Sequence, residues 1–264
     1  MLYVLRIHIM PNRPVLEICV ESMDHAVAAE RGGADRVELC TDLSSGGVTP
    51  SAEFMQATRS HLRIPIHVLI RPRAGDFCYS DDELEIMRND ILAAKQFGMD
   101  GIVLGVLKGN TRVDIAGTKA LVELSHPLPV TFHRAFDASG NLEVSLEEVI
   151  QTGASRILTS AGQSRATEGL STLARLVDAA KGRILIMPCG GINSNNVVQI
   201  VRTTLAREIH SSARTSNLGS MPNGGLPHNS GGTGASLPSA VFEREVGDLA
   251  SLLDGVALMN DQWS

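Results

Sequence analysis

Two Glu-x-Cys repeats carry the residue types in this 264-residue sequence that could bind a metal ion. Glu17-Ile18-Cys19 and Glu38-Leu39-Cys40 lie in short apolar segments typical of β-strands. Side chains two residues apart share one face of a strand, and neighbouring strands lie about 4.8 Å apart, so the two sulfurs could meet at a similar height. Two thiolates can hold Cu(I), a soft ion. Spacing alone still favours the simpler interpretation, in which buried cysteines act as small hydrophobic residues.

A second group of side chains is typical of acid–base chemistry. Its candidate catalytic residues are Glu17, Glu38, Arg71, His133, Asp137 and His210. Arg71 and Arg73 flank a rigid proline, which suits bidentate capture of a carboxylate or phosphate. His133 and Asp137 follow a predicted strand, where a histidine and a carboxylate could share a proton or orient each other.

Glycine and serine residues near two predicted strand ends could bind an anion. A Gly190-Gly191 turn leads into a predicted helix capped by Asn193, and such a turn exposes backbone N–H groups to an anion. The candidate anion-binding residues are Arg73, Gly190, Gly191, Ser211, Ser212 and Arg214. A Gly-Gly turn also occurs without any ligand, so both interpretations stay open.

Short β-rich segments that alternate with helical patterns must position these residues. The predicted strands are Leu16–Val20, Val37–Cys40, Ile66–Arg71, Gly101–Leu104, Val130–His133, Arg156–Thr159, Ile184–Met187 and Glu208–Ser211. The predicted helices include Asp24–Arg31, Ala52–His61, Asp82–Phe97, Leu142–Thr152, Gly169–Lys181, Asn193–Leu205 and Ala240–Leu258. This alternation predicts an α/β protein with a parallel sheet. Eight units in a chain near the ~250 residues typical of the fold favour a single-domain (β/α)8 TIM barrel.

The strand alternation predicts an apolar outward face and a polar inward face. The predicted inward residues are Glu17, Cys19, Glu38, Cys40, His67, Leu69, Arg71, Thr131, His133 and His210. Buried ionised groups need partners, and Glu17 and Glu38 reach the arginine and histidines only if the strands close into a ring. The set indicates either an ion-pair network that fixes strand register or a polar pocket. Its position toward the carboxyl ends of the strands favours the pocket.

Composition sets the domain boundaries and excludes several partners. We expect an N-terminal extension at residues 1–14 and a barrel domain at 15–264, with a flexible loop at 215–238, where 16 of 24 positions are Gly, Pro, Ser or Asn. This loop is either a lid over the barrel or an insertion without function. The net charge of −6 gives no reason to expect nucleic acid or an anionic membrane as a partner.

Two further features of the sequence bear on the compartment. The start lacks a signal-peptide cleavage site, and no apolar run of about 18 residues predicts a transmembrane helix. Four cysteines without a CxxC pair argue against a disulfide framework and against a structural zinc site.

Several motifs in order resemble the CutC copper-homeostasis family. They are LEICVES, AERGGADRVELC, GGVTPS, IRPRAGDFCYSD, LPVTFHRAFD, RILTS and HSSAR. The resemblance implies a TIM barrel that binds Cu(I), located in the cytoplasm and, in animals, also in the nucleus. It also implies that Cys19 and Cys40 are the copper ligands, and no catalytic activity is established for the family. The sequence departs from the family pattern at Cys189 and Ala161, where glycine is usual.

These observations leave three hypotheses for the function. The first is a copper-homeostasis protein that binds Cu(I). The alternative is a barrel enzyme that acts on a small anionic or phosphorylated metabolite through the acid–base and anion-binding residues named above. The third is a scaffold in which the charged residues only stabilise the barrel. A homo-oligomer is possible under each hypothesis.

Overall fold

Eight strands and eight helices alternate along the chain in a computed structural model that describes residues 13–214 and 237–261. The strands are β1 Val15–Val20, β2 Arg36–Leu39, β3 Ile66–Leu69, β4 Gly101–Leu104, β5 Val130–Phe132, β6 Arg156–Thr159, β7 Leu185–Pro188 and β8 Glu208–Ser211. The helices are α1 Met23–Arg31, α2 Ala52–His61, α3 Asp81–Gln96, α4 Ile115–Ser125, α5 Leu142–Thr152, α6 Leu170–Ala180, α7 Val197–Thr204 and α8 Ser239–Asp261.

All strand pairs in the sheet are parallel, in the order β7-β6-β5-β4-β3-β2-β1-β8. The first strand therefore pairs with the second and the last: Glu17 lies opposite Arg36 on one side and opposite His210 on the other. Within the described residues the ladders stop at β7 and β8, so the sheet forms a nearly closed barrel. The TIM-barrel prediction is thus confirmed.

Local sequence signals explain why the elements begin and end where they do. The side chain of Ser22 accepts the N–H of His25 at the start of α1, and Ser80 forms a capping box with Glu83 at the start of α3. Gly153 ends α5 at a φ of 84°, a left-handed conformation that favours glycine. No helix in residues 13–214 or 237–261 is long and apolar enough to cross a membrane.

The main core lies between the sheet and the surrounding helices. The outward strand residues Leu16, Ile18, Val37 and Ile66 are fully buried there, as the alternation predicts. Helix α4, which is not among the predicted helices, packs onto the same core through Leu121.

Several predicted boundaries differ from the structure, and two of the larger differences bear on the candidate site. Helix α7 starts at Val197 rather than Asn193, because the side chains of Asn193 and Asn196 accept backbone N–H groups in a preceding turn. Strand β3 ends at Leu69, so Arg71 lies in the following loop. Most of the predicted N-terminal extension (residues 1–12) and most of the predicted flexible loop (215–236) lie outside the described residues.

Candidate functional site

The sulfur atoms of Cys19 and Cys40 lie 3.4 Å apart near the carboxyl ends of β1 and β2. Both side chains are buried, and they pack against Leu69 of β3. The loop after β2 covers them at Gly47, which has a φ of 85°. A Cβ atom at Gly47 would lie 2.8 Å from Leu69 Cδ2, so only glycine lets the loop approach this closely.

Glu38 and His210 complete a pocket that we call the thiol pocket, formed by Cys19, Glu38, Cys40 and His210. One ligand atom from each of Cys19, Glu38 and His210 lies within 4.8 Å of the others. Cys19 Sγ donates to Glu38 Oε1 at 3.7 Å, and Glu38 Oε2 is buried without a hydrogen-bond partner, 3.9 Å from His210 Nδ1. Cys19 therefore lies beside an imidazole and an oxygen atom with an unused lone pair, and Cys40 joins this group through its contact with Cys19.

The pKa values of the two inward-facing glutamates, Glu17 and Glu38, are shifted in opposite directions. Burial alone raises the pKa of Glu17, but the charge of Arg36 and the bond to His210 outweigh burial and hold that pKa well below its usual range. Burial raises the pKa of Glu38 to about 7, since its carboxylate lacks a comparable set of bonds. Burial lowers the pKa of His210, yet the charge of Glu38 and the bond to Glu17 raise it overall.

The thiol of Cys19 is protonated at neutral pH in this arrangement. The pKa of Cys19 is raised well above its usual value, first by the hydrogen bond with Cys40, then by burial and by the nearby charge of Glu38. A metal ion that binds here must therefore displace thiol protons.

A buried ion-pair network lies below the thiol pocket, toward the amino ends of the strands. We call it the base network; its members are Glu17, Arg36, Arg156 and Glu208. Arg36 Nε donates to Glu17 Oε2 at 2.5 Å, and Arg36 Nη2 donates to Glu208 Oε2 at 2.6 Å. The sequence reading missed three of these residues, although Arg36 could have been found, because it lies two positions before Glu38 and shares its inward face.

Arg71 and His133 do not join Glu17 and Glu38, contrary to the prediction. Arg71 Nη1 donates to the carbonyl of Gly47 and Nη2 to the carbonyl of Gly75, both at 2.8 Å. The terminal nitrogens of Arg71 thus hold the loops after β2 and β3, because the strand ends before Arg71 and its side chain turns onto those loops. His133 packs on Phe77, with 4.9 Å between ring centroids.

Asp137 does not pair with His133 as predicted. Its carboxylate accepts the hydroxyl of Thr159 at 2.5 Å and the backbone N–H of Ser160 at 3.1 Å, and it pairs with Arg134 at 2.8 Å. These bonds occupy Asp137 in fixing the turn after β6.

The predicted anion-binding side chains are also engaged within the protein. Arg73 pairs with Asp76 and Glu83, Arg214 pairs with Glu21, and the hydroxyl of Ser211 donates to the carbonyl of Ile192. Ser212 is half-buried beside Ser211. The two arginines, Arg73 and Arg214, therefore each have a carboxylate partner already.

The turn at Gly190 and Gly191 has the expected left-handed conformation, with φ values of 93° and 66°. The N–H groups at the following helix start are not open to an anion, however. Glu245 of α8 accepts the N–H and hydroxyl of Ser194, and side-chain oxygens of Asn193 and Asn196 take the neighbouring N–H groups. The protein's own carboxylate thus takes the N–H group of Ser194, three residues beyond Gly191.

Comparisons with known proteins agree with this fold. A sequence model of the CutC family matches residues 14–215. The human copper homeostasis protein cutC homolog is 44% identical over 241 residues, which cover 91% of this chain and 87% of that protein. The mouse homolog of the same name is 43% identical and covers 95% of this chain and 91% of its own length.

Among solved structures, the CutC protein of Streptococcus agalactiae superposes with a TM-score of 0.72 at 32% identity. The match covers 75% of this chain and 98% of the bacterial chain. The family match extends over all eight strands and every residue of the thiol pocket. This chain belongs to the CutC family.

Proposed function

We propose that the thiol pocket binds Cu(I), with Cys19 and Cys40 as thiolate ligands, and that the protein takes part in copper homeostasis. The observation that carries the proposal is the 3.4 Å separation of two buried sulfurs beside an imidazole and an unsatisfied carboxylate oxygen. Soft thiolate ligands select Cu(I) over hard cations such as Mg²⁺ or Ca²⁺. The names of the human and mouse relatives support the same assignment.

The sulfur separation favours a bent site with a third ligand. At a metal–sulfur distance of about 2.3 Å, linear coordination would need sulfurs about 4.6 Å apart. The observed separation is 3.4 Å, so the thiolates must either move apart or bind the ion at a bent angle. A bent angle leaves one side of the ion open to another donor.

His210 is a candidate for that third ligand, because one of its ring nitrogens lies within 4.8 Å of Cys19 Sγ. Its Nδ1 lies 2.7 Å from Glu17 Oε1, which leaves Nε2 as the ring nitrogen able to coordinate. Histidines that bind metals commonly donate their other N–H to a carboxylate, which orients the ring. Imidazole is also a softer ligand than the carboxylate of Glu38. Glu17 would then be a positioning residue, fixed in turn by Arg36.

A Cu(I) titration of the reduced protein against a chromophoric chelator tests the proposal. We expect one Cu(I) per chain, and a loss of affinity of more than about 100-fold in the Cys19→Ala/Cys40→Ala double variant, because removing ligands costs more than the 10- to 100-fold typical of outer-shell changes. His210→Ala removes a single proposed ligand and should lower the affinity by more than about 10-fold, but by less than the double variant.

Cys189→Ala is the matched control, since Cys189 is another buried thiol on the inward side of the barrel, just after β7. Its copper affinity should equal that of the wild type. Unchanged affinity in the double variant would refute the assignment of Cys19 and Cys40.

We also propose that the protein acts in a reducing compartment, with the cytoplasm as the expected location. All four cysteines are free thiols, and free thiols persist where glutathione and thioredoxin keep them reduced. Cell fractionation with an antibody against the chain tests this: recovery only from secreted material would contradict it.

A further inference from the structure

A second polar cluster lies just beyond the carboxyl ends of β3 and β5 and shares no residue with the thiol pocket. Its members are Arg71, Phe77, Tyr79 and His133. The guanidinium carbon of Arg71 lies 5.0 Å from the ring centroid of Phe77, and the ring of His133 lies 4.9 Å from the same centroid. The guanidinium of Arg71 and the imidazole of His133 thus lie against the same apolar ring, that of Phe77.

Three polar atoms of this cluster are buried and make no hydrogen bond of normal geometry: Arg71 Nε, His133 Nε2 and the Tyr79 hydroxyl. A weaker contact joins the Arg71 guanidinium to the Tyr79 oxygen, and it leaves the O–H of Tyr79 free to donate. Arg71 and His133 are each only 5% exposed. A buried polar group without a partner costs about 1–3 kcal/mol, and folded proteins rarely leave several of them close together. The cluster therefore has bonding capacity that the protein itself does not use.

All three atoms can act as donors. The Nε–H of arginine only donates. His133 Nδ1 accepts the N–H of Ala135 at 3.2 Å, which places the ring proton on Nε2. Burial and the charge of Arg71 lower the pKa of His133 to about 3, so the ring is neutral. Burial raises the pKa of Tyr79 to about 12, so its hydroxyl keeps its proton.

The charge and shape of the cluster favour a compact monoanion as the ligand. Arg71 supplies one positive charge, and its terminal nitrogens already bind the carbonyls of Gly47 and Gly75, so a bidentate clamp on a phosphate is not available. Arg73, the next cation along the loop, is paired with Asp76 and Glu83. A dianionic phosphate would therefore remain half-neutralised, whereas a carboxylate matches both the charge and the donors.

We propose that Arg71, Tyr79 and His133 bind the carboxylate group of a small organic acid, at a site separate from the thiol pocket. The oxygens of the carboxylate accept from Arg71 Nε, His133 Nε2 and the Tyr79 hydroxyl. This site goes beyond copper binding and does not depend on it, because it shares no ligand with Cys19 or Cys40.

Acetate and inorganic phosphate, titrated separately at constant ionic strength and followed by NMR and calorimetry, test the proposal. We expect saturable binding of acetate, stronger than that of phosphate. Tyr79→Phe removes only the hydroxyl and should weaken acetate binding by about tenfold or more, as expected for a hydrogen bond to a charged group. His133→Leu should weaken it similarly. Thr118→Val is the matched control, because Thr118 also has a buried hydroxyl without a partner but lies on α4.

Absence of saturable acetate binding would overturn the proposal, as would equal affinities in the wild type, Tyr79→Phe and His133→Leu. Tighter binding of phosphate than of acetate would overturn the assignment to carboxylates. Copper titration separates this site from the thiol pocket. Tyr79→Phe should keep wild-type Cu(I) affinity, and the Cys19→Ala/Cys40→Ala variant should keep wild-type acetate affinity; loss of acetate binding there would contradict separate sites.

Discussion

At the scale of residues, the pKa values of two glutamates on neighbouring strands, Glu17 and Glu38, are shifted in opposite directions. Glu17 accepts from Arg36 and lies within hydrogen-bond distance of His210, whereas one oxygen of Glu38 is buried without a partner. The first arrangement stabilises the ionised carboxylate and the second disfavours it. Glu17 therefore supports the fold, while the ionised form of Glu38 destabilises the protein until a partner or a metal ion compensates its charge.

Glu38→Gln should stabilise the metal-free protein above neutral pH. The folded-state pKa of Glu38 is raised from 4.5 to about 7, so the folded state holds a proton that the unfolded chain has already lost. Stability of the wild type therefore falls as pH rises through this window, by up to about 3 kcal/mol from this group, and the glutamine variant avoids that loss. Denaturant unfolding of both proteins at about pH 5 and about pH 8 measures the difference.

The advantage of Glu38→Gln should be larger at the higher pH. An equal or smaller advantage there would contradict the buried, unpaired state of the carboxylate. Glu17 should act in the opposite direction, because its pKa is lowered: its contribution is present above the unfolded-state pKa and is lost as pH falls through the folded-state pKa. A rise in stability on strong acidification would contradict this assignment.

At the scale of elements, the strand pattern predicted that the four residues of the thiol pocket share the inward face. Alternation along β1, β2 and β8 correctly placed Glu17, Cys19, Glu38, Cys40 and His210 together on the inward face. The same reasoning did not bring Arg71 and His133 into contact with Glu17 and Glu38, because both lie one or two residues beyond the ends of short strands. Once the chain leaves the strand, loop geometry decides where a side chain points, and hydrophobic periodicity carries no information about it.

Strand β4 and the residue after it give the barrel interior space at two glycines as well as the side chain of Val103. A Cβ atom at Gly101 would lie 2.4 Å from two atoms of the buried His67 ring, and one at Gly105 would lie 2.6 Å from His133 Nδ1. Glycine at these positions therefore lets two histidines from the neighbouring strands fit inside the barrel.

Gly101→Ala should destabilise the protein by about 1–3 kcal/mol, the usual range for overpacking a dense core. Gly109→Ala is the matched control, because an added Cβ there meets no atom within 4 Å. Its free energy of unfolding should change by less than about 0.5 kcal/mol. Equal effects of the two substitutions in chemical denaturation would contradict the tight packing of His67.

At the scale of the whole molecule, side chains close the barrel where the described backbone ladders stop. Arg36 of β2 and Arg156 of β6 both bind Glu208 of β8, at 2.6 Å and 2.7 Å. The hydroxyl of Ser211 on β8 donates to the carbonyl of Ile192, just after β7. The base network thus holds the two ends of the sheet together beneath the thiol pocket.

Glu208→Ala should leave two buried arginines without their shared partner and should cost about 3–5 kcal/mol. Amide hydrogen exchange should accelerate in β7 and β8 more than in β2 and β3, because the junction between β7 and β8 opens first. Glu147→Ala, which breaks an exposed pair with Arg183, should cost less than about 1 kcal/mol. A uniform acceleration of hydrogen exchange across the sheet would contradict the role of Glu208 at the junction between β7 and β8.

X-ray absorption at the copper edge of the Cu(I)-loaded protein tests the central claim most directly, because it identifies the atoms bound to the metal. The thiol pocket predicts a first shell of two sulfurs at about 2.3 Å, joined by one nitrogen from His210. The sulfur signal should vanish in the Cys19→Ala/Cys40→Ala variant. A first shell of nitrogen and oxygen alone in the wild type would contradict copper binding by Cys19 and Cys40.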